Sequence, residues 1–393
     1  MIHILAIETS CDETAAAVIL YDDAGLSVLS SVVSSQVELH AKYGGVVPNL
    51  AAREHVRNII PVIEETLEKS GITRDGIDAI AVTQGPGLIP ALLIGVSAAK
   101  TLALVWQKPL LGIHHIEGHI YANFISDKIR ENAKAQITNT KHADGDIFPL
   151  LALVVSGGHT QLVLMRDHFE YEILGETRDD AAGEAFDKVA RILGLSYPGG
   201  PAIAAKAANY ELRIKNYESN QNSEIQKIEI ESKFEIRNSK LTLPRPMIDS
   251  GDLDFSFSGL KTAALYLVKE NEVRKTDNGF VNEVAHEFQD AVVDVLVAKT
   301  RKAIEKYSPK TVIIAGGVSA NEELRTQLRN SIETDFPETT FMMPEFKYSL
   351  DNAAMIGAAA AVRFARLSES EHEALKSNAI TLDPNANLSL TSR

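Results

Sequence analysis

One cysteine, Cys11, in 393 residues leaves no partner for an intramolecular disulfide. A single thiol in a chain of this length fits a reducing compartment, so the cytoplasm is expected. Positive charge is also in short supply, with 39 Lys and Arg against 53 Asp and Glu and a net charge of −14. That balance argues against non-specific nucleic-acid binding, which draws its affinity from neutralising phosphates, so a nucleic-acid partner needs a local basic patch or a helper protein. The N-terminus lacks the cationic segment of a signal peptide and meets Glu8, Asp12 and Glu13 at once. Long uninterrupted apolar runs are missing too. The longest, Leu88 to Trp106, contains Pro90, Gly95, Ser97 and Lys100 and is expected to be a core helix rather than a membrane span.

What is present is length enough for two or three domains and a repeated order of elements. Strand patterns over Ile2–Glu8, Ala15–Leu20 and Leu26–Val33 predict an antiparallel meander. A helix over Ala51–Lys69, a strand Ile77–Thr83, a helix across Leu88–Val105 and a short strand Leu110–Ile113 follow, giving βββαβα. The order returns with strands Leu150–Val155, Thr160–Met165 and Glu170–Leu174 and helices Ala181–Leu193 and Glu283–Tyr307. A strand Thr311–Ala315, a helix from Asn321, a strand Thr340–Met343 and a helix Asn352–Phe364 complete it. The fold class is therefore α/β, with two similar lobes and a cleft between them. The expected limits are 1–116 for the first lobe, 117–367 for the second and 368–393 for a polar tail read as irregular strap or disorder. Polar stretches near 126–147 and 209–241 read as surface insertions.

His115 and His119 stand four apart in His-His-Ile-Glu-Gly-His, on one face if the segment is helical, where both imidazoles can meet one ion. The run differs from the HExxH of zinc peptidases, because Ile116 replaces the general base that follows the first histidine. A third ligand candidate is Asp351, although an Asp ahead of the Ala-rich helix also suits an N-cap. Glycine turns at Ser156-Gly157-Gly158, Pro198-Gly199-Gly200 and Gly316-Gly317 allow backbone amides close to phosphate or ribose oxygens; tight turning is the better explanation of any one alone, and the three together point to nucleotide binding. Glu8, Asp12 and Glu13 crowd the turn between the first two strands, and Asp187 lies a turn inside a helix that opens with acidic residues.

Seven motifs in one order make the resemblance specific. They are Ile7-Glu8-Thr9-Ser10-Cys11-Asp12-Glu13-Thr14, Tyr43-Gly44-Gly45-Val46-Val47-Pro48, the histidine run, Ser156-Gly157-Gly158-His159-Thr160, Asp180 to Lys188, Phe255 to Lys261, and Ala315 to Asn321. The chain resembles the TsaD family of tRNA threonylcarbamoyladenosine transferases over most of residues 1–366. The resemblance implies the actin-like ATPase fold and transfer of a threonylcarbamoyl group from threonylcarbamoyl-adenylate to N6 of adenosine 37, in tRNAs reading codons that begin with A. It implies one divalent metal ion, iron or zinc, on His115, His119 and Asp351, with magnesium accompanying a bound nucleotide. Substrate contacts are implied at Val154, Val155, Ser156, Gly157, Gly158, Asp187, Gly200 and Asn321, and partners resembling TsaB and TsaE are implied as well. The N6 amine is a poor nucleophile, so Asp12 or Glu13 is the expected base. Lys42, Arg53 and Arg57 are candidates for tRNA contact. A small-molecule carbamoyltransferase or kinase of the same fold and a non-catalytic scaffold are the alternatives.

Overall fold

Runs of buried β-forming residues separated by acidic or glycine turns organise the chain into two sheets. The computed structural model describes residues 1–125, 147–219 and 241–391. The first sheet is built from β1 (Ile2–Glu8), β2 (Glu13–Asp22), β3 (Gly25–Ser35), β4 (Ala79–Gly85) and β5 (Leu110–His114), in the order β3-β2-β1-β4-β5. The meander β1–β3 is antiparallel, while β4 joins β1, and β5 joins β4, in parallel.

The second sheet contains β6 (Leu150–Val155), β7 (Thr160–Met165), β8 (Tyr171–Glu176), β9 (Thr311–Ala315) and β10 (Thr340–Met342). Its order is β8-β7-β6-β9-β10, again an antiparallel meander extended by two parallel strands. Each sheet thus repeats the other strand for strand, as the repeated order in the sequence predicts. The parallel steps need helical crossovers, and α3 (Ile89–Trp106) supplies the one from β4 to β5.

Period-two alternation then sorts the side chains into layers. Leu5, Ile7, Val18 and Val82 face α2 (Pro48–Ser70) and α3. Ile4, Ala6, Ala17 and Ala81 face the opposite way, into a layer that also receives Leu150, Ala152, Val154 and Ile313 of the second sheet. This shared layer holds α4 (His115–Tyr121) and the Ala-rich helix Ala353–Ala365. Leu151, Leu153 and Ile314 point away from it, toward α5 (Ala182–Ile192) and the long helix Asn278–Tyr307. Small side chains let the shared layer form: a Cβ on Gly118 of α4 would lie 2.8 Å from Ile356 Cδ1, and one on Gly357 would lie 2.4 Å from Ile19.

Helix α3 is long and apolar enough by length and composition to cross a membrane. Ala91, Leu92, Val96, Ala99 and Ala103 bury one face in the core, as expected of a core helix. The opposite face leaves Leu93, Leu104 and Val105 exposed.

Two polar stretches carry more regular structure than their composition suggests. Residues 209–219 continue α6 (Gly199–Ser219), which packs on Asn278–Tyr307, so the stretch read as an insertion begins as helix. The remainder of that stretch, 220–240, and the other polar stretch, 126–146, lie outside the described residues. The tail is more ordered than its composition suggests. Ser368 and Glu371 form a capping box for a helix over Glu369–Ser377, and Leu390 is buried against the shared layer.

Candidate metal centre and the cleft beside it

Strand β5 ends at His114 and turns directly into α4, which places His115 and His119 one turn apart on the same face. Their rings stand edge to face with centroids 4.7 Å apart. Asp351 reaches them from the start of the Ala-rich helix. Asn352 is that helix's N-cap, its Oδ1 accepting from Met355 N at 3.0 Å, which leaves Asp351 free of the capping role that its position suggested.

Both imidazoles aim at one carboxylate oxygen. Asp351 Oδ1 lies 3.1 Å from His119 Nε2 and 3.5 Å from His115 Nε2. Donor atoms of all three residues lie within 4.8 Å of one another. Bonds of about 2.1 Å to a tetrahedral ion set ligand atoms about 3.4 Å apart, so two imidazole nitrogens and one carboxylate oxygen fit a divalent cation. His119 Nδ1 is buried without a hydrogen-bond partner among the described residues.

A second set of residues orients the first. His115 Nδ1 faces Glu8 Oε2 at 3.3 Å and Ser10 Oγ at 3.2 Å, which leaves Nε2 for Asp351. Glu8 is fully buried and accepts from Thr83 Oγ1 at 2.5 Å and from the Ser10 amide. A carboxylate behind a ligating imidazole fixes its ring and tautomer. Burial pulls against the imidazolium, but Asp351 and Glu8 outweigh it and push His115 up to about 9. Burial opposes the charge on Asp351 as well, yet His115 and His119 hold it far below the usual carboxylate range.

The turn after β1 is braced from α2. His55 Nε2 donates to Cys11 O at 3.0 Å, and Thr14 Oγ1 donates to His55 Nδ1 at 2.8 Å. This brace sets Asp12 and Glu13 at the cleft. Burial, with Asp12 and Asp351 nearby, pushes Glu13 up to about 10. On the opposite wall burial raises Tyr197, with Asp12 and Asp187 contributing. Arg191 of α5 donates to the Gly44 carbonyl, closing one edge between the walls.

Each remaining candidate has a definite place. Val154 and Val155 are fully buried strand residues, so only their backbone can meet a ligand. Ser156 shapes its turn, its amide donating to His159 O and its Oγ accepting from His159 N. Gly157, Gly158 and Gly200 border open space, with nothing within 4 Å of an added Cβ. Gly316, at φ +87°, instead presses on Val155 O, and Gly183 presses on Ser156 O. Asp187 accepts from Gly199 N at 2.7 Å. Asn321 caps the helix Glu322–Asp335 through Oδ1 and donates to Gln289 through Nδ2.

A profile of the TsaD family, tRNA N6-adenosine threonylcarbamoyltransferase, matches residues 27–358. The chain belongs to that family. Relatives bearing the family's name include one from Halalkalibacterium halodurans, 46% identical over 92% of this chain and 91% of its own length. Another, from Bacillus subtilis, is 45% identical over 92% of this chain and 90% of its own. Among solved structures, YeaZ from Pseudomonas aeruginosa aligns at 16% identity and a TM-score of 0.27, covering 44% of this chain and 64% of that one. Component A of the Acidaminococcus fermentans (R)-2-hydroxyglutaryl-CoA dehydratase aligns at 11% and 0.49, covering 93% and 100%. The family assignment rests on the profile and the close relatives.

Within the family frame, His159 is the functional candidate that reading by residue type passed over. It follows the Ser156–Gly158 turn, and burial together with the charges of His115 and His119 lowers it to about 4. The available signal was its position directly after an open glycine turn at a strand end.

Proposed function

We propose that this chain transfers the threonylcarbamoyl group of threonylcarbamoyl-adenylate to N6 of adenosine 37 in tRNAs reading codons that begin with A, releasing AMP. The observation that carries this reading is the match to the transferase family over 92% of the chain. The convergence of His115, His119 and Asp351 agrees with it and disfavours a scaffold that has discarded its ligands.

In this reading the open amides at Gly157, Gly158 and Gly200 receive the adenylate, and the backbone of Val154–Ser156 lines its floor. Asp187 and Asn321 hold the two turns that frame it. His115, His119 and Asp351 would hold an iron or zinc ion, which would supply Lewis-acid stabilisation of negative charge at the reacting centre. N6 attacks the carbamoyl carbon, the bond from that carbon to the phosphate oxygen breaks, and AMP leaves with the electron pair. Asp12 takes the N6 proton. Glu13, lifted to about 10, keeps its proton at neutral pH and serves as a hydrogen-bond donor rather than a base. The two walls exclude water from a mixed anhydride that water destroys.

The exposed apolar side chains of α2 and α3, among them Val56, Ile60, Leu93 and Leu104, suit docking of a TsaB-like partner on the first sheet's outer helices. A TsaE-like ATPase completes the set, in the cytoplasm. Lys42 and Arg53 are exposed and suit tRNA phosphates, whereas Arg57 shares its charge with Glu54 at 2.5 Å.

The test is reconstitution of the chain with metal, partners, tRNA transcript and chemically prepared threonylcarbamoyl-adenylate. Modified adenosine and AMP in equal amounts are expected. Consumption of the adenylate by hydrolysis alone, with unmodified tRNA, contradicts the reading.

A further inference from the structure

Beyond residue 358, where the family match ends, the chain returns to the metal-bearing end of the first sheet. After the helix Glu369–Ser377, residues 382–391 run across the ends of β4 and β5 as a strap. Asn385 N donates to Gln84 O at 2.9 Å, Gln84 Nε2 donates to Asp383 O at 3.0 Å, and Gly87 N donates to Ala386 O at 3.3 Å. Lys100 pairs with Asp383 at 3.2 Å. The approach is tight enough that a Cβ on Gly85 would fall 1.8 Å from Asn385 O, and one on Gly112 would fall 2.6 Å from Leu382 Cδ1.

The strap also touches the residue that launches α4. His114, 2% exposed, contacts Leu388 O through Nε2 at 2.9 Å and Ile116 N through Nδ1 at 3.1 Å. A carbonyl only accepts and an amide only donates, so the proton must sit on Nε2 and the lone pair on Nδ1. The Leu388 carbonyl therefore selects the tautomer that caps the first turn of α4, the turn carrying His115.

We propose that the C-terminal strap is a positioning element for the metal centre, acting through His114: Leu388 O fixes the His114 tautomer, and His114 Nδ1 holds the first turn of α4 in register with Asp351. The proposal rests on the metal reading of His115, His119 and Asp351. Loss of an outer partner of a ligand typically weakens metal binding ten- to a hundredfold.

Asn and Gln separate the two bonds, because an Asn oxygen falls near Nδ1 and a Gln amide nitrogen near Nε2. Zinc is titrated into metal-stripped full-length chain against a chromophoric chelator, with thermal melting followed in parallel. His114→Asn, an acceptor that needs no tautomer selection, is expected to bind zinc within about threefold of the parent, and His114→Gln about tenfold more weakly. Truncation after Leu382 is expected to lose about tenfold, and His114→Asn in the truncated chain to restore it. Equal affinities for the parent, His114→Gln and the truncated chain overturn the proposal. A truncated chain that His114→Asn fails to rescue overturns the route through His114, and a parent that binds no zinc overturns the metal reading itself. If the truncated chain does not fold, the two full-length substitutions decide.

Discussion

His119 Nε2 and Asp351 Oδ1, separated by 232 positions in the chain, lie 3.1 Å apart. The approach depends on α4 and the helix Ala353–Ala365 meeting in the one layer that both sheets share. The neighbouring Asn352 supplies the helix cap, so candidate ligand and cap are adjacent residues.

That division predicts opposite outcomes for neighbouring substitutions. Asp351→Ala should abolish stoichiometric metal binding and also destabilise the chain by leaving His115 and His119 without their carboxylate, whereas Asn352→Ala should cost about 1 kcal/mol and keep the metal. Metal analysis and urea denaturation of both variants check this. Metal retained by Asp351→Ala removes it from the ligand set.

Glu13 makes a pH prediction of definite sign. It is raised from 4.5 to about 10 in the fold. Between those values the unfolded chain has released this proton and the folded chain still holds it, so this group makes stability fall as pH rises. Glu13→Gln should flatten the decline, measured by denaturant melts at pH 6 and pH 9, and should keep most turnover. Asp12→Asn should lose turnover by two or more orders of magnitude, the usual scale for a removed general base. A pH slope unchanged by Glu13→Gln, or full activity in Asp12→Asn, contradicts these roles.

The glycine turns divide by what surrounds them. Gly158→Val places its side chain in open space and should raise the KM for the adenylate while leaving the melting temperature near that of the parent. Gly316→Val adds a side chain at φ +87° with its Cβ 2.5 Å from Val155 O, and it should destabilise the second sheet's core. Differential scanning fluorimetry with adenylate titration separates the two, and a destabilised Gly158→Val would show that its turn is packed.

Glu117, fully buried between the two histidines in sequence, pairs with Arg363 at 2.5 Å and accepts from Tyr171 at 2.9 Å. Its partner sits on the same helix that Asp351 precedes, so the pair ties α4 to that helix. Removing one member of a buried pair strands the other charge, and Arg363→Ala should lose about 3 kcal/mol in equilibrium unfolding. A loss below about 1 kcal/mol, the range of surface pairs, contradicts that role.

Much of the fold was legible because apolar, β-forming runs mark β6 and β7 to the residue, and because the second lobe repeats the order of the first. The pair His115 and His119 was legible from spacing, while Asp351 stood only as a candidate beside its N-cap reading until the family resemblance favoured it, since no local pattern links it to α4. Other features depend on tertiary context. Gly158 and Gly316 look alike in sequence, yet one borders open space and the other presses on Val155 O. Residues 209–219 read as polar insertion because their composition is polar and charge-mixed, although they continue α6. The tail's buried anchors are few, among them Ala379 and Leu390, and its bonds to Gln84 and His114 run largely through backbone groups, which leave no trace in composition.

The most direct test of the account is nucleoside mass spectrometry of tRNA from cells depleted of their own enzyme and rescued with this chain, parent beside His115→Ala. The account predicts threonylcarbamoyladenosine restored by the parent and absent with His115→Ala. Absence with both, when both chains are expressed in folded form with matched partners, contradicts the transferase assignment. Restoration by His115→Ala contradicts the metal centre.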